Sequence, residues 1–77
     1  MTPVLDIEAT GDRIRLLMMK KNVSVTDIQA ACGLAVPSGV YKWLHGVGMP
    51  TIDNLIILAH LLDVTVDDIL VTREVEL

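Results

Sequence analysis

The sequence contains one cysteine, Cys32, and very few aromatic residues. A single cysteine excludes a disulfide framework within the chain and a metal site built on paired cysteines. Phenylalanine is absent, and one tryptophan and one tyrosine account for the 3% aromatic content. Because apolar residues still make up 52% of the 77 positions, the core must consist of aliphatic side chains and methionine, a composition that fits packed helices.

Long hydrophobic runs and a basic leader are also missing. The densest apolar stretch, Leu55 to Leu62, is interrupted by His60 and is far shorter than the roughly 20 residues of a membrane span. The acidic start of the chain is unlike a signal peptide. These absences predict one small soluble domain in the cytoplasm. Since so short a chain buries only about 60% of its unfolded surface, a partner subunit is expected to stabilise it.

Positive charge is scarce overall but concentrated in one part of the chain. The formal net charge of −4 argues, as a single number, against a nucleic-acid partner. Residues 13–45, however, carry five basic side chains and one acidic side chain, which gives +4, whereas residues 1–12 carry −3 and residues 46–77 carry −5. This distribution predicts a cationic face on an acidic body. The charged residues of the positive segment are Arg13, Arg15, Lys20, Lys21, Lys42 and Asp27.

Apolar periodicity and capping residues predict five helices. Helix 1 is expected from about Ile7 to Lys21, after the cap Asp6, and its inward stripe is Ile7, Gly11, Ile14, Leu17 and Met18. Helix 2 follows the cap Ser24, which forms an approximate capping box with Asp27. It stops at Gly33, and its inward face is Val25, Ile28, Ala31 and Cys32.

Residues 31–46, ACGLAVPSGVYKWLHG, combine a turn with a short third helix. Proline is favoured in the first turn of a helix, where its missing N–H has no helical partner. Helix 3 is therefore predicted from about Pro37 to His45, ending at Gly46. Its inward residues are Val40, Trp43 and Leu44, and its opposite face carries Ser38, Tyr41, Lys42 and His45. The small residues Ser38 and Gly39 allow a bulky partner to approach the start of the helix.

Two more helices and a tail complete the prediction. Helix 4 is expected over Ile52–Leu62 after the cap Thr51, and a short helix 5 lies within VTVDDIL, where Thr65 and Asp68 form a second approximate capping box. The tail VTREVEL alternates apolar and polar residues and predicts a short strand. Its edge would pair with the TPVL segment of the same chain or with the tail of a partner. The expected divisions are an N-terminal segment 1–6, a helical domain 7–71 and a tail 72–77.

The order of these parts resembles the lambda-repressor-like (Cro/CI-type, Xre) helix-turn-helix family. The matching segments are GDRIRLLMMKKNVSVTDIQAACGL for the first two helices, VYKWLHG for the recognition helix and MPTIDNLIILAHLLDVTVDDIL for the closing helices. The resemblance covers roughly residues 7–71. It implies an all-α, five-helix fold with the helix-turn-helix at helices 2 and 3, and helix 3 placed in the major groove of DNA.

The resemblance also implies a set of DNA-binding residues. The leading base-facing positions fall at Pro37 and Ser38, a later one falls at Lys42, and Tyr41 beside it reaches base or backbone. The full set of DNA-binding candidates is Pro37, Ser38, Gly39, Tyr41, Lys42, His45, Ser24 and Lys21. Two features depart from the family pattern: Val25 stands where the family usually has a phosphate-binding glutamine, and the turn GLAVP is one residue longer. Both leave the predicted fold intact and affect the assignment of base contacts.

Other sites are disfavoured by the same residues. Trp43 has the spacing of a core residue, and Lys20 and Lys21 suit the dipole at a helix C-terminus. His60 lacks a second ligand at usable spacing, so no metal is predicted. Ser38 and His45 share a face without an orienting acid, so no hydrolase is predicted. No enzyme activity, cofactor or small-molecule substrate is therefore expected.

The predicted function is a sequence-specific regulator of transcription, a repressor, that binds double-stranded DNA. The alternative is a helix-turn-helix module that binds protein instead, as an antitoxin or anti-repressor; affinity for duplex DNA that falls steeply with salt would discriminate the two. A homodimer is also expected, joined through helix 4, helix 5 or the tail. Helix 4 is apolar around most of its circumference, whereas packing on one side needs a stripe only about 100° wide.

Overall fold

The computed structural model describes residues 1–76, in which five helices follow the predicted order and a two-stranded sheet joins the two ends of the chain. The elements are β1 (Thr2–Leu5), α1 (Ile7–Lys21), α2 (Val25–Ala31), α3 (Ser38–Leu44), α4 (Ile52–Leu62), α5 (Val66–Ile69) and β2 (Thr72–Val75). The predicted fold class is confirmed. Within residues 1–76, every helix is too short or too polar to span a bilayer.

The helices begin and end at the residues that local chemistry favours. Asp6 accepts a hydrogen bond from the Ala9 N–H (2.9 Å) at the start of α1, and Thr51 accepts one from the Asn54 N–H (3.2 Å) at the start of α4. Asn22 ends α1 in the left-handed conformation. These bonds satisfy N–H groups that lack a partner inside the helix. The predicted caps are therefore confirmed.

Two reciprocal capping boxes hold the starts of α2 and α5, as predicted. The Ser24 N–H donates to Asp27 (2.9 Å) and the Asp27 N–H donates to the Ser24 hydroxyl (3.0 Å). Thr65 and Asp68 repeat the pattern at α5, with distances of 2.9 and 3.2 Å. In each box the backbone N–H of the cap residue, followed by its hydroxyl, lowers the pKa of the carboxyl below its ordinary value of 3.8.

The capping boxes predict a loss of stability in acid. A carboxyl whose pKa is lower in the folded state stabilises the fold above its unfolded pKa, and this contribution disappears as the pH falls through the lowered pKa. As the pH falls below 3.8, the melting temperature of the parent should therefore drop more steeply than that of an Asp27→Ala, Asp68→Ala double variant. Circular dichroism melts against pH measure the difference. Asp12→Ala, which removes an exposed carboxyl from the middle of α1, is the control and should keep the parent's slope.

One core joins all five helices. Its fully buried members include Ile14 of α1, Ile28 of α2, Val40 of α3, Leu58 of α4 and Ile69 of α5. Aliphatic side chains from different helices thus remove one another from water, as the composition predicted.

The predicted inward face of α2 was wrong at one residue. Ala31 is exposed and Cys32 is half-buried. Because α2 has only seven residues, Ile28 alone reaches full burial, and the last turn of α2 leads out toward the α2–α3 connector. The thiol of Cys32 lies 4.0 Å from the Asn54 carbonyl oxygen, and its partial burial raises the pKa of the thiol.

The sheet closes the domain at the ends of the chain. β1 and β2 are antiparallel, with Thr2 opposite Val75 and Leu5 opposite Thr72, so the tail pairs with the TPVL segment of its own chain. Leu77, the last residue of the VTREVEL tail, lies outside the described residues. Next to the sheet, the buried hydroxyl of Thr10 accepts from the Val71 N–H (3.0 Å) and donates to the Val71 carbonyl (3.4 Å). This polar link was not predicted.

Candidate nucleic-acid interface

Helix α3 separates into a buried face and a solvent-facing polar face. Val40, Trp43 and Leu44 are buried in the core, which confirms their predicted spacing. The opposite face consists of Ser38, Tyr41, Lys42 and His45, all exposed. The rings of Tyr41 and His45 stack one turn apart, with centroids 6.4 Å from each other. These four residues form an exposed polar strip on α3, and the opposite face of the helix is packed in the core.

The start of α3 differs from the prediction by one residue. Pro37 stands at the cap position, without a side-chain hydrogen bond, and the helix begins at Ser38. Both residues are exposed. Gly39 is half-buried, and a Cβ at this position would lie 3.8 Å from the Leu34 side chain in ordinary van der Waals contact. The small size of Gly39 is therefore not demanded by packing within the chain.

The orientation of α3 is set by its close approach to α1. A Cβ on Gly11 would overlap the carbonyl oxygen of Trp43 and lie 2.9 Å from that of Leu44. Gly46, which ends α3 with φ of 69°, lies against Glu8, whose Cα would be 2.7 Å from an added Cβ. Glycines on both sides thus let the backbones of α1 and α3 meet without side chains between them.

Arg15 supports the same junction and was missed as a functional residue. Its Nη2 donates to the Leu44 carbonyl oxygen at the end of α3, at 3.1 Å. A cation at a helix C-terminus both satisfies a free carbonyl and interacts favourably with the helix dipole. Its position four residues after Gly11 in α1 is the available sequence signal, because residues i and i+4 share a helix face.

The basic residues of the positive segment fall into two groups: arginines that donate to backbone carbonyls, and exposed lysines. Arg13 donates to the Asp68 carbonyl of α5 at 2.8 Å, and Arg15 supports α3 as described. The lysines of this segment, Lys20, Lys21 and Lys42, are exposed. Lys20 and Lys21 lie in the last turn of α1, whereas Lys42 projects from α3 itself. Of the predicted DNA-binding cations, Lys42 is therefore part of the polar strip and Lys21 lies on a neighbouring element.

Ser24 and Tyr41 both line a shallow groove of about 370 Å³ between α1, α2 and α3. The groove also contains Val25, whose half-buried side chain packs against the core. Valine at this position provides packing but no polar group to brace α3. The groove is lined by Arg15, Met18, Met19, Asn22, Val23, Ser24, Val25, Tyr41 and Leu44.

Comparison with known proteins agrees with this geometry. A family model described as helix-turn-helix matches residues 14–69. Among solved structures, the restriction-modification controller protein C.AhdI from Aeromonas hydrophila is similar, with 26% sequence identity and a TM-score of 0.73 over 83% of this chain and 96% of that chain. No curated protein matches the sequence significantly.

The family match covers most of the chain and includes all of α2, α3, α4 and α5 and the second half of α1. Together with the exposed polar strip on α3, it identifies the protein as a member of the Cro/CI-type helix-turn-helix family of DNA-binding transcription regulators.

Proposed function

We propose that the protein is a sequence-specific repressor that inserts α3 into the major groove of double-stranded DNA. The observation that carries the proposal is the polar strip on α3. Its residues are exposed, while the rest of α3 is fixed by the core and by α1. A recognition helix needs both properties, because base contacts require free side chains held at a defined position. Occupation of promoter DNA by such a domain blocks transcription.

The contacts are assigned by side-chain chemistry. Lys42 is the long donor of the strip and suits the O6 and N7 acceptors of guanine. Ser38 at the first turn suits several base edges, and Tyr41 and Ser24, which both line the groove, suit phosphate oxygens. Pro37 and Gly39 bring the helix start close to the bases, and Lys21 and His45 add phosphate contacts at the edges.

The test uses a duplex selected from a random pool. Lys42→Ala should weaken binding to this duplex by about 1–3 kcal/mol and reduce discrimination at one base pair, if the ammonium group contacts a base edge. A loss that is equal on all sequences, with a shallower salt dependence, would instead indicate a phosphate contact. Fluorescence anisotropy titrations at several salt concentrations measure both quantities.

Arg73→Ala is the matched control. Arg73 carries the same charge as Lys42 but is exposed on β2, outside the polar strip of α3. Its removal should therefore leave base discrimination unchanged. If Lys42→Ala binds the selected duplex as tightly as the parent, Lys42 is not part of the interface. If the parent shows no salt-dependent duplex binding, the alternative of a protein-binding helix-turn-helix module replaces this proposal.

A homodimer is part of the proposed mechanism, and the outer face of α4 supports it. Ile52 is 78% exposed and Ile56, one turn later, is 56% exposed, although both are large aliphatic residues. The half-buried Ile57 and Leu61 border them. A second copy would cover this face symmetrically and present two α3 helices to half-sites about 34 Å apart. When one α3 of the dimer is bound, the second α3 binds the same duplex at a high effective concentration, which raises the overall affinity.

Sedimentation at tens of micromolar should give a species of twice 8.4 kDa. An Ile52→Asp, Ile56→Asp double variant should sediment as a monomer, because charges would be buried at the interface. Met19→Asp, which changes an exposed side chain on α1, is the control and should remain dimeric. A parent that stays at 8.4 kDa with and without a palindromic duplex would contradict the dimer.

A further inference from the structure

The connector between α2 and α3, residues 32–37, places an exposed aliphatic side chain directly before the recognition helix. Val36 is 57% exposed and precedes Pro37 and Ser38, which are exposed as well. We propose that Val36 contacts the 5-methyl group of a thymine in the major groove and so contributes to sequence preference. The inference rests on the proposed function, since it requires α3 to enter that groove.

The connector is anchored so that Val36 is held outward. The Leu34 N–H donates to the Gln29 carbonyl (3.0 Å), and the Gln29 side-chain amide donates to the Leu34 carbonyl (3.3 Å). The Leu34 side chain packs against the core. On the other side, Val40 is fully buried. Because the chain is fixed on both sides of Val36, little conformational freedom remains to be lost on binding.

The chemistry of the exposed tip favours a methyl group as its target. Val36 and Pro37 have no side-chain donor or acceptor, so they cannot bond to the polar edges of the bases. Among the four bases, thymine presents a methyl group in the major groove, and apolar side chains contact it. Hydrogen-bonding side chains begin only at Ser38, and the long donor Lys42 lies one turn further on. The front of α3 therefore discriminates by apolar contact and the next turn by hydrogen bonding.

A protein partner is the less favoured occupant of this surface. Val36 adjoins the polar strip of α3 and lies within the positive segment 13–45, whereas the larger exposed aliphatic surface is Ile52 and Ile56 on α4. A small apolar tip that leads directly into the exposed hydrogen-bonding side chains of α3 matches the mixed surface of a major groove better than the apolar centre of a protein interface.

The experiment replaces each thymine of the duplex selected from a random pool, one at a time, by 2′-deoxyuridine, which lacks only the methyl group. At one position in each half-site the affinity should fall by about three- to tenfold. Val36→Ala should lose a similar factor on the thymine duplex and show no further loss on the deoxyuridine duplex. Non-additivity of the two changes assigns the methyl contact to Val36.

Val47→Ala is the matched control. Val47 is 71% exposed and follows the end of α3, so the variant removes the same carbon atoms at the opposite end of the helix from Val36. It should keep the parent's ratio of thymine to deoxyuridine affinity, whatever its own affinity. Both variants should melt at the parent's temperature, because neither valine is buried.

Each other result has a defined consequence. Equal affinity for thymine and deoxyuridine at every position, with steep salt dependence retained, overturns this inference and leaves the proposed function standing. No salt-dependent duplex binding overturns both. If Val36→Ala loses as much affinity as the parent when thymine is replaced by deoxyuridine, the assignment to Val36 is overturned. A selected half-site without thymine also overturns it. A Val36→Ala variant that loses self-association and keeps the thymine preference places Val36 in a protein interface instead, which also overturns it.

Discussion

Replacing Trp43 by alanine should unfold, or nearly unfold, the domain. Trp43 is 6% exposed and belongs to the single core that joins the helices. Truncation of a large buried aromatic side chain costs about 3–5 kcal/mol. Domains have a total stability of about 5–15 kcal/mol, and small domains lie near the lower limit. Thermal and urea denaturation followed by circular dichroism measures the loss.

Tyr41→Ala is the control for this change. Tyr41 is the other aromatic residue of the chain, and it lies exposed on the opposite face of the same helix. Its removal should leave the melting temperature close to that of the parent while weakening duplex binding. A Trp43→Ala variant that melts normally and no longer binds DNA would mean that Trp43 faces the ligand, contrary to its burial here.

Replacing Gly11 by alanine should destabilise the domain by about 1–3 kcal/mol, the usual cost of overpacking. The added methyl group would overlap the Trp43 carbonyl oxygen and crowd that of Leu44. Alanine is favoured over glycine within a helix by up to about 1 kcal/mol, so propensity alone predicts the opposite sign. The clash dominates because the neighbouring atoms belong to the backbone and cannot rotate away. The same denaturation measurements determine the sign.

Gly39→Ala separates the two effects. It also replaces a helical glycine, but its Cβ would lie 3.8 Å from the Leu34 side chain, without a clash. Its stability should equal or exceed that of the parent. A Gly11→Ala variant as stable as the parent would show that α1 and α3 separate easily. If they do separate, the position of α3 is less rigid than the Gly11 contact and the Arg15 hydrogen bond indicate.

The features that local sequence could predict are those with local causes. Ser24 and Thr65 cap α2 and α5 through bonds to residues three positions later, so the spacing of side chains alone identifies them. The burial of Val40, Trp43 and Leu44 follows from helical periodicity in the same way. These rules gave the order of the helices and placed the exposed face of α3 correctly.

The features that were missed depend on distant parts of the chain. The roles of Thr10 and Arg15 lie in bonds to Val71 and Leu44. The spacing of Gly11 and Arg15 indicates that they share a face of α1, but it does not identify the distant partner of Arg15. Ala31 has the spacing of an inward residue, yet α2 ends before another element can cover it. For the candidate site, the sequence predicted which face of α3 is exposed but not the contacts that support the helix.

The pairing of the two chain ends has a consequence for the order in which the domain folds. Thr2 and Val75, which pair across the sheet, lie almost the whole length of the chain apart, so their pairing closes nearly the largest loop that the chain allows, at an entropic cost. A ribbon of two short strands is also unstable without support. We therefore expect the two-stranded sheet to form after the helices have assembled and to be the first part of the native protein to open. Opening of this kind would expose the amides of the terminal strands to exchange while α1 and α3 remain packed, so we expect motion at the chain ends to leave the position of α3 unchanged.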